Sequence, residues 1–362
     1  MDRLGKLSVE MICPYQPGRS LAEVKAELGL ERVVKLASNE NPLGPSPRVL
    51  EALSHSDLFL SSYPDIDGRA LRQALAEHFG LGSGEIILGN GSADVARMVA
   101  DAFLHAEVEA VVPDLSFPVY HTASRITGAR VHVVENAADF QIDLAAMLAA
   151  CDARTRIVWL ANPNNPTGQV LPWAQVEAFL DRLPTDVITV LDVAYAHYAT
   201  SAAYQEGLAR MERRERVIVL HTFSKAYGLA GLRCGFGVGR RAHIDLMERV
   251  RIPFSVNTAA QTAARVALQD QDHLVRSIAL NSQELARFAA AFTRLGLPFL
   301  PSQANFVLVD VGQEAQPVVQ RLLREGFIVR AFPHPRLRTM LRVTTGTPEQ
   351  DELFLEALAR VL

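Results

Sequence analysis

The run His221-Thr222-Phe223-Ser224-Lys225-Ala226-Tyr227-Gly228-Leu229-Ala230-Gly231-Leu232-Arg233-Cys234-Gly235 decides how this chain is read. A lysine stands among small hydroxyl side chains, just after an apolar stretch, and a glycine-spaced turn and an arginine follow it. A lysine amine forms a Schiff base with an aldehyde. The hydroxyls of Thr222 and Ser224 and the guanidinium fork of Arg233 suit a phosphate held beside it. An aldehyde and a phosphate carried by one small molecule point to pyridoxal 5'-phosphate, with Lys225 as its covalent anchor.

Working outward from that run, short apolar segments alternate with helical patterns. Strands are expected at 85–88, 109–112, 130–134, 156–160, 187–191, 216–220 and 235–238, with helices at 94–103 and 173–182 among them. Strands alternating with helices indicate an α/β domain with a mostly parallel central sheet. The strands are rich in Val and Ile with little alternation, as expected where both faces are covered. After Pro253 the pattern changes. Long helices are expected at 258–268 and 273–295, short strands at 305–311, 327–331 and 340–344, and a helix near 316–325. That describes a smaller α+β domain. The N-terminal segment carries one helical stretch, 21–28, and then loops. The expected division is a large domain over 41–255, and a small domain built from 1–40 with 256–362.

Further motifs fall at strand ends. Leu88-Gly89-Asn90-Gly91-Ser92-Ala93-Asp94 links a strand to an amphipathic helix. Glycines allow close backbone approach, and a helix N-terminus offers N–H groups to an anion. Ser92 and the amides of Ala93 and Asp94 are therefore phosphate candidates, although a plain turn capped by Ser92 or Asp94 reads the same way. Asn162-Pro163-Asn164-Asn165-Pro166-Thr167-Gly168 fixes a rigid turn at the carboxyl end of a strand, where open α/β sheets bind ligands. Asn165 can donate to a ring oxygen there. Asp192 ends a buried apolar strand in Val190-Leu191-Asp192-Val193-Ala194-Tyr195. A buried carboxylate needs a partner; a protonated pyridine nitrogen is one and a structural ion pair another. Tyr195 can donate to the ring's phenolic oxygen. Phe117, in Ser116-Phe117-Pro118-Val119-Tyr120, is placed to stack on the ring or to pack in the core. Arg330 and Arg342 interrupt apolar segments near the end of the chain, and a guanidinium there suits a carboxylate or phosphate.

Composition narrows the classes. The chain has 362 residues, a formal net charge of -4, 49% hydrophobic and 21% charged residues, a balance typical of a globular enzyme. No basic excess points to nucleic acid. No apolar run is long enough to span a membrane, and residues 1–10 lack a signal-peptide core. The three cysteines, Cys13, Cys151 and Cys234, are scattered, without disulfide or metal spacing, so a reducing cytoplasm and no metal are expected.

Taken in order, these motifs resemble the fold-type I pyridoxal-phosphate enzymes, specifically the class I/II aminotransferases. Within them the chain is most similar to the histidinol-phosphate aminotransferase family. The likeness covers nearly the whole chain and includes Cys13-Pro14-Tyr15-Gln16-Pro17-Gly18, Leu36-Ala37-Ser38-Asn39-Glu40-Asn41-Pro42-Leu43-Gly44-Pro45-Ser46, Ser62-Tyr63-Pro64-Asp65 and Leu341-Arg342-Val343-Thr344-Thr345-Gly346-Thr347-Pro348-Glu349. The resemblance implies that Lys225 is catalytic and holds the cofactor. It implies that Asn165, Asp192 and Tyr195 contact the cofactor ring, and that Ser92, Ala93, Asp94, Thr222, Ser224 and Arg233 surround its phosphate. It also implies that Tyr63 comes from a neighbouring subunit of a homodimer, and that Tyr15, Asn39, Arg330 and Arg342 bind substrate. The implied reaction joins L-histidinol phosphate, as amino donor, to the 2-oxoglutarate/glutamate pair. Four positions depart from the family pattern: Val193 stands where an acid is usual, His197 and Tyr198 where an acid and Phe are frequent, and Phe117 where Tyr is common. A threonine-phosphate decarboxylase, an aromatic-amino-acid aminotransferase or, more remotely, a non-catalytic cofactor-sensing regulator would share the fold.

Overall fold

A computed structural model describes residues 5–10, 12, 14, 19–55 and 61–362. Its strands, in chain order, are β1 (Val34–Lys35), β2 (Ile86–Gly89), β3 (Glu109–Pro113), β4 (Arg130–Val134), β5 (Thr155–Ala161), β6 (Ile188–Asp192), β7 (Val217–Thr222), β8 (Gly235–Val238), β9 (Phe299–Leu300), β10 (Phe306–Asp310), β11 (Phe327–Ile328) and β12 (Met340–Thr344). The large domain is built on a seven-stranded sheet of order β2-β8-β7-β6-β5-β3-β4. From β7 to β4 all neighbours are parallel. β8 runs antiparallel to both β2 and β7.

The apolar runs make this sheet because residues of alternating parity feed two separate cores. Ala110, Val112, Ile157, Trp159, Val190, Ile218 and Leu220 pack on one face with the helix Ser92–Phe103. Val111, Val158, Leu160, Leu191, Val217 and Val219 pack on the other with the helices Arg69–Phe79, Trp173–Arg182 and Ala202–Met211. β4, the edge strand, keeps exposed positions and begins with Arg130, which suits an unpaired rim.

β5, β6 and β7 end side by side. The Asn162 N–H donates to the Asp192 carbonyl at 3.0 Å, and the Val193 N–H to the Leu220 carbonyl at 3.0 Å. Their carboxyl ends therefore open on one crevice. Because β8 runs backwards, its first residue, Gly235, lies between Gly89 and Thr222. Arg233 is delivered to the same rim as the start of helix Ser92–Phe103.

The small domain has an antiparallel sheet of order β12-β10-β9 and a parallel pair, β1 with β11. Its core gathers Val34, Leu36, Phe288, Phe292, Val307, Val309, Leu341, Val343 and Phe354. The N-terminal segment is stitched in by the Leu36 N–H, which donates to the Ile328 carbonyl at 2.8 Å. The helix Gln271–Leu295 is capped by Asp270 at its start and by left-handed Gly296 at its end. The expected strand over 327–331 is shorter than the sequence suggested. β1 runs out as its partner, and Arg330 makes only an isolated antiparallel bridge to Arg342. The helix Thr258–Gln269, expected in the small domain, buries Ala260, Ala263, Ala264 and Ala267 in the large core, where a methyl-lined face permits close approach.

Candidate active site

Lys225 sits in the turn after β7. The Gly228 N–H closes that turn onto the Lys225 carbonyl at 2.9 Å, and a Cβ at Gly228 would come within 2.1 Å of the Gly44 carbonyl oxygen, so only glycine fits. The Lys225 Nζ donates to the Ser38 carbonyl at 3.2 Å and lies 5.7 Å from the centre of the Tyr195 ring. Burial, followed by the Arg342 cation and more weakly Arg233, brings this amine down to about 8, against the pull of Glu40 and Asp192. An amine near 8 is neutral, hence nucleophilic and basic, far more often than an ordinary lysine.

Asp192 ends β6 and is buried. The Tyr120 hydroxyl donates to its Oδ2 at 2.8 Å, and the Ala194 N–H to its Oδ1 at 2.9 Å. Burial nonetheless pushes this carboxyl above its ordinary range. A cation set against it would bring it back down.

Tyr195 follows three residues on. Its hydroxyl oxygen accepts from Asn39 Nδ2 at 2.9 Å and from Asn165 Nδ2 at 3.4 Å. Asn39 has a φ of 55°, a left-handed conformation that Asn tolerates better than most residues. It is pinned by Thr344, whose Oγ1 accepts the Asn39 N–H at 3.0 Å and meets Asn39 Oδ1 at 3.0 Å, and by Asn305, whose Nδ2 donates to the Asn39 carbonyl at 3.0 Å. Arg342 donates from Nη1 to Asn165 Oδ1 at 2.6 Å and from Nη2 to the Ala37 carbonyl at 2.7 Å, with its guanidinium against the Phe306 and Phe332 rings. The backbone of Arg330 is paired to that of Arg342 at 2.8 and 3.2 Å.

A second cluster lies at the rim beside Lys225. The Thr222 Oγ1 donates to the Ser224 Oγ at 2.9 Å, and Arg233 Nη1 to the same Ser224 Oγ at 3.3 Å. Arg233 has a φ of 60°, a strained choice for a long side chain. A Cβ at Gly91 would come within 2.3 Å of Arg233 Nη2, and one at Gly235 within 2.4 Å of the Ser92 amide. The two glycines thus leave a notch between Arg233 and the start of helix Ser92–Phe103, where Ser92 and Ala93 are the first helical residues. Asp94 has a local role as well: its Oδ2 accepts the Asn90 N–H at 2.8 Å and its own N–H returns to the Gly91 carbonyl at 3.1 Å. Hydroxyls, a guanidinium and a helix N-terminus form a phosphate-type donor set. With the amine of Lys225 and the buried acid of Asp192, these residues suit a phosphorylated pyridine aldehyde.

The expected residues Phe117 and Tyr63 make contacts of another kind. Phe117 is half-buried and meets Tyr120 edge-on at 5.8 Å. Tyr63 is 82% exposed and stacks on Phe254 at 4.5 Å. Tyr15 and Cys13 lie outside the described residues. The departures from the family pattern are accommodated as core. Val193 and Tyr198 are buried, and His197, half-buried, lies edge-on to Tyr227, where desolvation lowers its imidazole to about 3. Sequence reasoning passed over Tyr120, Ser38, Thr344 and Asn305. Only Tyr120 carried a signal, standing one helical turn after Phe117 beside a strand that ends in an acid.

The family model described as aminotransferase class I and II matches residues 31–358. The chain is 45% identical over 99% of its length to histidinol-phosphate aminotransferase 1 of Nitrosococcus oceani, covering 97% of that protein. It is 44% identical to histidinol-phosphate aminotransferase 2 of Pseudomonas aeruginosa, over 99% of this chain and 98% of the relative. Among solved structures, the histidinol-phosphate aminotransferase from Sinorhizobium meliloti in complex with pyridoxal-5'-phosphate superposes with a TM-score of 0.90 at 29% identity, over 99% of this chain and 97% of that one.

Proposed function

The chain belongs to the class I and II aminotransferases, and from that premise we propose that it moves an amino group from L-histidinol phosphate to 2-oxoglutarate, giving imidazole acetol phosphate and L-glutamate in histidine biosynthesis. The observation that carries this reading is the meeting, at the shared carboxyl ends of β5, β6 and β7, of a lysine whose amine is brought down to about 8, a buried acid and a phosphate-type notch, in a chain 45% identical over nearly its full length to a histidinol-phosphate aminotransferase.

The enzyme works with pyridoxal 5'-phosphate, which supplies, when bound, an electron sink for the carbon that loses its proton. Lys225 Nζ is the anchor and the base. It takes the proton from the amino-bearing carbon of the donor and holds it for return. With the cofactor bound, Asp192 would meet the ring nitrogen, Asn165 and Tyr195 the ring oxygen, and Phe117 the face of the ring. Ser92, Ala93, Asp94, Thr222, Ser224 and Arg233 would hold its phosphate. Arg330 and Arg342, with Asn39 and Tyr15, receive the substrates. One site must accept a phosphorylated donor without a carboxylate and then a keto acid with two, and a guanidinium fork fits either anion.

The finer assignments follow from the same reading. We assign 41–269 to the large domain, extending the expected boundary through helix Thr258–Gln269, because its alanines sit in the large core. Two copies pair, each lending Tyr63 to the other, which suits the exposed cluster of Tyr63, Phe254 and Ile252. The cytoplasm is the proposed compartment; among the described residues no helix is long and apolar enough to cross a membrane.

The test is the absorbance spectrum of the cofactor-loaded protein titrated with L-histidinol phosphate and no keto acid. The expected result is loss of the visible band as the amino group transfers. A band indifferent to histidinol phosphate but responsive to phenylalanine or phosphothreonine would reassign the donor. Absence of any band would sink the reading.

A further inference from the structure

Granted the cofactor binding proposed above, we propose that Tyr120 is a positioning residue for the cofactor's ring nitrogen, its hydroxyl holding Asp192 as an oriented carboxylate. Tyr120 is 1% exposed on the helix Val119–Ile126 and reaches across to the end of β6, where it donates to Asp192 Oδ2 at 2.8 Å. Its ring lies flat on Trp159 of β5, centres 5.1 Å apart and planes 9° apart. Trp159, itself fully buried, donates from Nε1 to Ser124 Oγ at 3.0 Å, and Ser124 lies one turn beyond Tyr120 on the same helix. Helix and sheet are thus keyed together at both ends of the stack, so the hydroxyl has little freedom to point elsewhere.

The chemistry gives this placement a purpose. The Tyr120 phenol is pushed well above its ordinary range by burial and by the neighbouring acid, so it acts as a donor. Burial works against the ionised form of Asp192; the Tyr120 hydrogen bond is the largest opposing influence, ahead of the Ala194 amide and the facing charges of His221 and Lys225. With both oxygens already engaged from behind, the lone pairs that remain are fixed in direction. Without the hydroxyl, Asp192 retains its own proton more readily and leaves the ring nitrogen neutral, a weaker electron sink. A tyrosine serving only as filler would not influence that proton.

Tyr120→Phe deletes one oxygen and keeps the stack. Wild-type and variant holoenzymes would be prepared with pyridoxal 5'-phosphate labelled with the heavy nitrogen isotope in its ring, and the ring-nitrogen resonance and cofactor dissociation constant measured. The expected result is a protonated ring nitrogen in the wild type, a shift toward the neutral position in the variant, about tenfold weaker cofactor retention, and a fall in kcat with the donor KM little changed. Melting curves check that the variant folds. If it does not, Trp159→Phe, which keeps the hydroxyl but loosens its seat, is measured the same way and is expected to shift the resonance in the same direction by less. An unchanged resonance and unchanged affinity in a folded variant overturn the proposal alone. A wild type that binds no cofactor overturns it together with the reading it rests on.

Discussion

Lys225 illustrates how much of a residue's chemistry is set by its neighbours. Burial and Arg342 together hold its amine near 8, so the neutral form gains steadily as pH rises through that value. Capture of pyridoxal 5'-phosphate by cofactor-free protein should follow the same curve, with a midpoint near 8 when the capture rate is measured against pH. Replacing Arg342 with Met removes a repelling cation. The lysine then holds its proton to higher pH, and the midpoint should move up; a midpoint that stays put would show that burial alone sets it. In steady state, Lys225→Ala should lower turnover by at least about a thousandfold while phosphate-side contacts still retain the cofactor, checked by assay and by equilibrium dialysis. Arg342→Lys should cost kcat/KM for donor and acceptor alike, by about ten- to a hundredfold, because the ammonium replaces a fork that spans Asn165 and Ala37.

The elements that carry these residues were unevenly legible. The strands of the large sheet could be read within a residue or two, because parallel strands buried on both faces appear as unbroken apolar runs. The reversed direction of β8 could not, since a strand's composition does not record its polarity. Yet that reversal is what brings Arg233 to the phosphate notch. The helix Val119–Ile126 was seen only as an aromatic pair, so Tyr120 went unassigned. β1, two residues long, has no periodicity to detect and is defined by a partner far along the chain. Lys225, Asp192 and Asn165 stood out because each departs from the apolar run it follows. Asn39 was named only through the family resemblance, and Thr344 was given no role, because their pairing depends on distant chain. The turn between β2 and helix Ser92–Phe103 offers a direct check. Gly91→Ala places a methyl against Arg233 at a φ of 84°. It should weaken cofactor binding by more than about tenfold, from strain of about 1–3 kcal/mol and a displaced guanidinium, measured by fluorescence titration.

At the scale of the whole molecule, the two domains are joined beside the crevice. Arg336 of the small domain donates to the carbonyls of Asn136 and Ala137, both at 2.5 Å, and lies over the Phe140 ring, while His334 pairs with Asp114 at 2.9 Å. Arg336→Ala should destabilise the protein by about 1–2 kcal/mol in urea unfolding, with a larger rise in donor KM than fall in kcat if the clasp helps the small domain present Arg330 and Arg342. The exposed Tyr63–Phe254 stack makes the corresponding statement about pairing. If two copies pair through this stack as proposed, Phe254→Asp should yield a monomer by sedimentation that also loses activity, each site then lacking its partner's Tyr63.

The hydrogen bonds between Asn39 and Thr344, and between Arg342 and Ala37, each close a loop of 305 residues. During synthesis, strands β2 to β8 emerge long before β12. At about 5–20 residues per second, the ribosome delivers the lysine-bearing sheet several seconds ahead of the segment that pins Asn39. A nascent chain halted before residue 340 would carry Lys225, Asp192 and the notch, but neither Arg342 nor the Thr344 half of the clamp on Asn39. The capacity to capture the cofactor should therefore arise during translation, and the capacity to select a substrate only near its end.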